Sequence, residues 1–126
     1  MPVLAKLRFH CSDRYITLLK SGKLTRSDIQ AFIKEAQKRK RIVDLSGRDL
    51  SKLNLTKFDL GRANISNTNL SNSDLSNSTL FNANLSNSDL SNTNLSYTDL
   101  SYSNLSKAKL VGARLFNTVL FKTMLP

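Results

Sequence analysis

The apolar positions of the second part of the chain recur with a period that suits neither a helix nor a flat strand. From Leu45 to Leu125 every fifth residue is leucine or isoleucine, seventeen positions in succession without a slip. A helix repeats about every 3.6 residues and a strand about every 2, so neither brings this series onto one buried line. The chain must turn a corner once per five-residue word. The position two before each leucine carries the other half of the pattern. From Ala63 through Thr68, Ser73, Ser78 and Ala83 to Thr123 it is always Ala, Ser or Thr. Residues two apart on an extended backbone face the same way, so each word sends one large and one small side chain inward. Between them stands mostly Asp or Asn, and Ser followed by Asn or Lys comes after the leucine. Such side chains bond nearby backbone groups and favour turns.

Ahead of the array the period changes. Ile29, Phe32, Ile33 and Ala36 fall on one helix face, and Thr25-Arg26-Ser27-Asp28 before them has capping-box character. The expected helix runs from about Arg26 to Arg39. A shorter helix is expected from about Ser12 to Lys20, stopped at Gly22. Arg48, Leu53 and Phe58 fill positions where the later words have small residues. A narrow tube has no regular room for them, so the first words should widen and reach up to a cover. Ile29, Phe32 and Ile33 are the candidate capping residues. The chain divides into a basic N-terminal segment, residues 1–41, and a repeat array, residues 42–126.

The word, in forms such as Ala83-Asn84-Leu85 and Ser88-Asp89-Leu90, resembles the A(D/N)Lxx word of the pentapeptide-repeat family over residues 43–125. That resemblance implies an all-β solenoid, a right-handed quadrilateral β-helix with four words per coil and about four coils, here with an N-terminal α-helical cap. At the spacing of neighbouring strands the rod would be about 20 Å long. Leu70, Leu75, Leu80, Leu85, Leu90, Leu95, Leu100 and Leu105 form its expected structural core. The resemblance also implies dimers that meet through C-terminal ends. Family members that protect topoisomerases are acidic β-helices resembling DNA in charge and width.

Composition removes several classes of function. The net charge of +10 is concentrated in residues 1–42, which hold eleven Lys/Arg against three Asp/Glu. Between Ala63 and Ser106 there is no Lys or Arg, and only Asp74, Asp89 and Asp99 are acidic. DNA mimicry therefore fails on sign. His10 and Cys11 are the only histidine and cysteine, adjacent and without a partner for a nucleophile–base dyad or a metal site. No phosphate loop is present, and the expectation is a non-enzyme without metal, cofactor or small-molecule substrate. A lone cysteine fits a reducing compartment. Met1 to Phe9 is too short and too charged for a signal segment, and nothing later resembles a membrane span. The expected location is intracellular and cytoplasmic.

Two surfaces remain for partners. Lys38-Arg39-Lys40-Arg41 is a candidate for an anionic partner, nucleic acid included, and has the form of a nuclear-import run. Against this, cations in a last helical turn complement the helix dipole. Tyr97, Tyr102, Phe116, Val119, Phe121 and Met124 occupy outward positions that are polar elsewhere in the array. Contiguous apolar surface of this kind marks an interface. The expectation is a protein–protein scaffold that forms a homodimer through its C-terminal coil, with an unidentified protein partner, no membrane, and an acidic partner or nucleic acid as rivals for the same patch. The Ser/Asn words between the two ends read as a spacer.

Overall fold

The computed structural model describes Tyr15–Thr17 and residues 23–126. His10, Cys11 and the Met1–Phe9 stretch lie outside the described residues. In the array the backbone pairs with itself at an offset of twenty. Parallel bridges join Asp44 to Asn64, Asn64 to Asn84, Asn84 to Asn104 and Asn104 to Met124, and three further series run beside this one, ending at Lys109, Arg114 and Val119. Twenty residues are four words, so one circuit has four sides. The word around Leu70 shows why five residues suffice. Three of them, Thr68, Asn69 and Leu70, are extended and form a side; Ser71 and Asn72 form the corner. Ser73 N–H closes the corner on the Leu70 carbonyl at 3.1 Å, with Asn72 at φ 60. A positive φ at the second central residue is the pattern of a type II turn.

Each polar side chain of the word has a task. Asn69 Oδ1 accepts both the N–H of Ser71 at 3.0 Å and its hydroxyl at 2.7 Å. The side chain before the leucine thus holds the corner after it, and Asp does the same at Asp44, Asp49 and Asp74. The small inward residue contributes a hydroxyl. Thr93 Oγ1 donates to the Leu70 carbonyl one circuit below at 2.7 Å, and Thr98 repeats the bond to Leu75. Main-chain bonds finish the ladder, Leu70 N–H to the Asp89 carbonyl and Asn94 N–H to the Ser73 carbonyl. No buried side-chain nitrogen or oxygen among the described residues lacks a partner. The inward leucines from Leu45 to Leu105 are buried to 1% exposure or less. Each contributes on the order of 1.5–3 kcal/mol.

Helix α1, Arg26–Arg39, has the expected bounds, and its Thr25 cap forms the reciprocal box with Asp28. Its buried residues Ile29, Phe32, Ile33 and Ala36 belong to one hydrophobic cluster with Leu45, Leu50, Leu55 and Phe58. Phe58 is buried and Leu53 packs against the same cluster, while the bridges keep their twenty-residue offset. Leu53 and Phe58 are thus taken into the cluster without a break in register.

The short helix expected between Ser12 and Lys20 is overturned where it can be compared. Tyr15–Thr17 is a strand, β1, paired parallel with β2, Ile42–Asp44, in the register Tyr15 to Ile42. Tyr, Ile and Thr are strand formers, and a strand gains ladder bonds from β2 that a short helix lacks. The connection passes through α1, as a parallel pair needs a crossover.

Candidate functional site

The basic run proves to be a helix end. Lys38 and Arg39 lie in the last turn of α1, and Lys40 is its C-cap in the left-handed conformation, φ 54, with its N–H on the carbonyls of Ala36 and Gln37. Arg39 Nε is 2.6 Å from Glu35 Oε1, one turn back. Arg41 is half-buried at the entry to β2. The four charges therefore have different structural situations. An open groove of about 460 Å³ lies between α1 and the array, lined by Arg26, Gln30, Ile33, Lys34, Gln37, Lys57, Phe58 and Asp59. Arg26 acts there as a strut. Its guanidinium stacks 4.1 Å from the Phe58 ring centre and donates to the carbonyls of Asn54 and Thr56.

The opposite end of the array differs. Leu105 is 1% exposed, whereas Leu115, Leu120 and Leu125 are 41%, 37% and 54% exposed. Val111, Phe116, Val119, Phe121 and Met124 surround them, all exposed. The expected core ends at Leu105, and the word alone does not distinguish these last three leucines from the buried ones. No Asp or Glu occurs after Asp99, while Lys107, Lys109, Arg114 and Lys122 do.

On the flank of the array the aromatic residues pair across circuits. Tyr97 and Phe116 meet edge to face at 5.6 Å, as do Tyr102 and Phe121. Phe81 extends the second pair downward, its ring 5.4 Å from Tyr102. Phe81 was not among the expected residues. Its signal is in the sequence, since Phe81, Ser101 and Phe121 stand twenty apart. Lys122 Nζ lies 5.9 Å from the Tyr102 ring centre and 5.5 Å from that of Phe121.

Asp49 and Asp89 have lowered pKa values. For Asp49 the leading cause is the hydroxyl of Ser51, followed by the N–H of Ser51, with Lys23 and Lys52 adding to them. For Asp89 it is the hydroxyl and then the N–H of Ser91, with Lys109 adding. Both are corner-holding groups. Among the described residues no three of His, Cys, Asp and Glu gather as a metal site, and no helix is long and apolar enough to cross a membrane.

A family model for pentapeptide repeats matches the chain in eight copies, over residues 44–80 and 80–120. No curated protein matches. Among solved structures, a pentapeptide repeat protein from the Arabidopsis thaliana thylakoid lumen is 29% identical, with 64% of this chain and 59% of that one covered and a TM-score of 0.38. HetL of Nostoc, a pentapeptide repeat protein involved in heterocyst differentiation regulation, is 30% identical over 65% of this chain and 42% of its own, with a TM-score of 0.33. Another Nostoc pentapeptide repeat protein is 29% identical over 68% and 74%, with a TM-score of 0.40. This chain thus spans less than two thirds of the length of the first two of these proteins.

Proposed function

The chain belongs to the pentapeptide-repeat family, whose members form right-handed quadrilateral β-helices, and from that premise we propose that it is a non-enzymatic interaction module that self-associates through its last coil. In this reading the rod has about four coils, is capped at one end by α1, and works inside the cell as a rigid spacer between its capped and its apolar end. The exposure of Leu115, Leu120 and Leu125, in slots that are otherwise buried, carries the proposal. A second copy placed against these leucines removes their apolar surface from water and gives the outermost ladder edge a partner. Val119 and Met124 would lie at the rim of the contact, with the aromatic pairs beside it.

Charge sets the character of such a contact. Two copies meeting end to end bring together two sets of Lys107, Lys109, Arg114 and Lys122, with no acid after Asp99 to offset them. Burial has to overcome this repulsion, so the dimer should strengthen as salt is raised. Light scattering on the eluting protein, over a range of concentrations and ionic strengths, tests this. A dimer expected at high concentration should dissociate in the double variant Leu120→Lys, Leu125→Lys while the melting temperature stays near that of the parent. A monomer at every concentration and salt, or a variant that remains dimeric, overturns the reading.

A further inference from the structure

Every exposed aromatic residue among the described ones flanks a single side of the rod. That side carries Asp59, Thr79, Asp99 and Val119 outward, one above the other at twenty-residue spacing. The corners before it hold Tyr97 and Phe116; the corners after it hold Phe81, Tyr102 and Phe121. Edge-to-face contacts join each set into a ridge along the rod. The same two corners carry Lys57 and Arg62 near the helix end, and Lys122 at the far end. The result is a track with aromatic walls, cations at both ends and a narrow polar floor.

The backbone does not favour the tyrosines. Tyr97 and Tyr102 occupy the left-handed corner position at φ 58 and 60, where Asn67, Asn72, Asn77, Asn82, Asn87 and Asn92 hold the same conformation. Asn tolerates this region and a bulky aromatic residue does so poorly. Burial does not compensate, since Tyr97 remains 54% and Tyr102 45% exposed. A strained residue with an exposed ring points to a ligand for that ring.

We propose that this side of the rod binds single-stranded nucleic acid, with bases stacked on the ridge rings and phosphates running past Lys57, Arg62 and Lys122. A polyanion complements the corner cations Lys57, Arg62 and Lys122, and it is the flat faces of unpaired bases that give the exposed rings something to stack on. Asp59 and Asp99 on the floor repel phosphate and accept hydrogen bonds from base amino groups. They thereby turn the backbone outward to the cationic corners. The inference goes beyond self-association, which uses the end of the rod, whereas this track lies on its flank.

The test uses the full chain and labelled oligo(U) and oligo(dT), titrated at increasing salt. Binding at low salt is expected, with quenching of tyrosine fluorescence. The double variant Tyr97→Asn, Tyr102→Asn restores the array's own corner residue, so it should melt at the same or a higher temperature and bind at least about tenfold more weakly. Lys122→Asn should lower the slope of log affinity against log salt by about 0.7. Light scattering on the same variants separates loss of the track from loss of a dimer. The proposal is overturned if the parent binds neither oligomer at low salt, or if the double variant binds as well as the parent. Tyrosine-dependent binding of polyglutamate with equal strength also overturns it, in favour of an acidic protein.

Discussion

Leu60 and Leu120 stand in one column of the array, in the same slot of the same five-residue word, and have opposite surroundings. Leu60 is 1% exposed and Leu120 37%. Leu80 and Leu100, between them, are as buried as Leu60. The word aims each leucine inward, but inward is a dry place only when another layer covers it. At the Leu60 end, Ile29, Phe32 and Ile33 of α1 belong to the same hydrophobic cluster as the first leucines. Above Leu120 the described chain supplies none. In a stack whose layers touch only their neighbours, burial belongs to the interface between layers and not to the word.

The largest effect should come from charging the covered interior. Leu85→Asp places a carboxylate where the exposure is 0%, and the expected outcome is loss of the folded circular dichroism signal at room temperature. Next is the end that shares its cluster with α1. Phe32→Ala removes a side chain of 0% exposure from under the helix and should cost about 3–5 kcal/mol by chemical denaturation. The comparison itself is sharpest in one column. Leu80→Ala should cost about 2–5 kcal/mol and Leu120→Ala under about 1 kcal/mol. Equal losses would mean that Leu120 is covered in solution, which a dimer would also cause, so the pair is measured at several protein concentrations.

The smallest effect concerns acid. Asp49 and Asp89 have lowered pKa values because the serine two residues on bonds their ionised form. A carboxylate whose pKa falls on folding stabilises the fold above its unfolded pKa, and this contribution disappears as pH drops through the lower, folded value. Asp49→Asn with Asp89→Asn keeps the corner acceptor, as Asn69 does. The double variant should match the parent at neutral pH and melt with a shallower loss below the ordinary carboxylate range. An identical acid profile would show that these corners do not drive acid sensitivity.

Much of the array was legible in the sequence because its determinants are local. A leucine every fifth residue, a small residue two before it and an Asx between them specify side, corner and interior within one word. Helix α1 was legible for the same reason, since Thr25, Asp28 and the stripe from Ile29 to Ala36 lie within a few turns of each other. Tyr15–Thr17 was not, because a short segment of strand formers takes its state from the strand available beside it. Phe81 was missed because its partner Tyr102 is one circuit away.

By itself, then, the sequence determined the period, the four-sided circuit that the family word implies, the bounds of α1 and which side chains point inward. Those follow from hydrogen bonds and sterics within five to ten residues. Only the tertiary structure decided which inward leucines are covered, how the oversized first words share a cluster with α1, and that Phe81 joins the exposed aromatics. Each of these depends on what lies one circuit above or below, at a separation of twenty residues that no local rule contains.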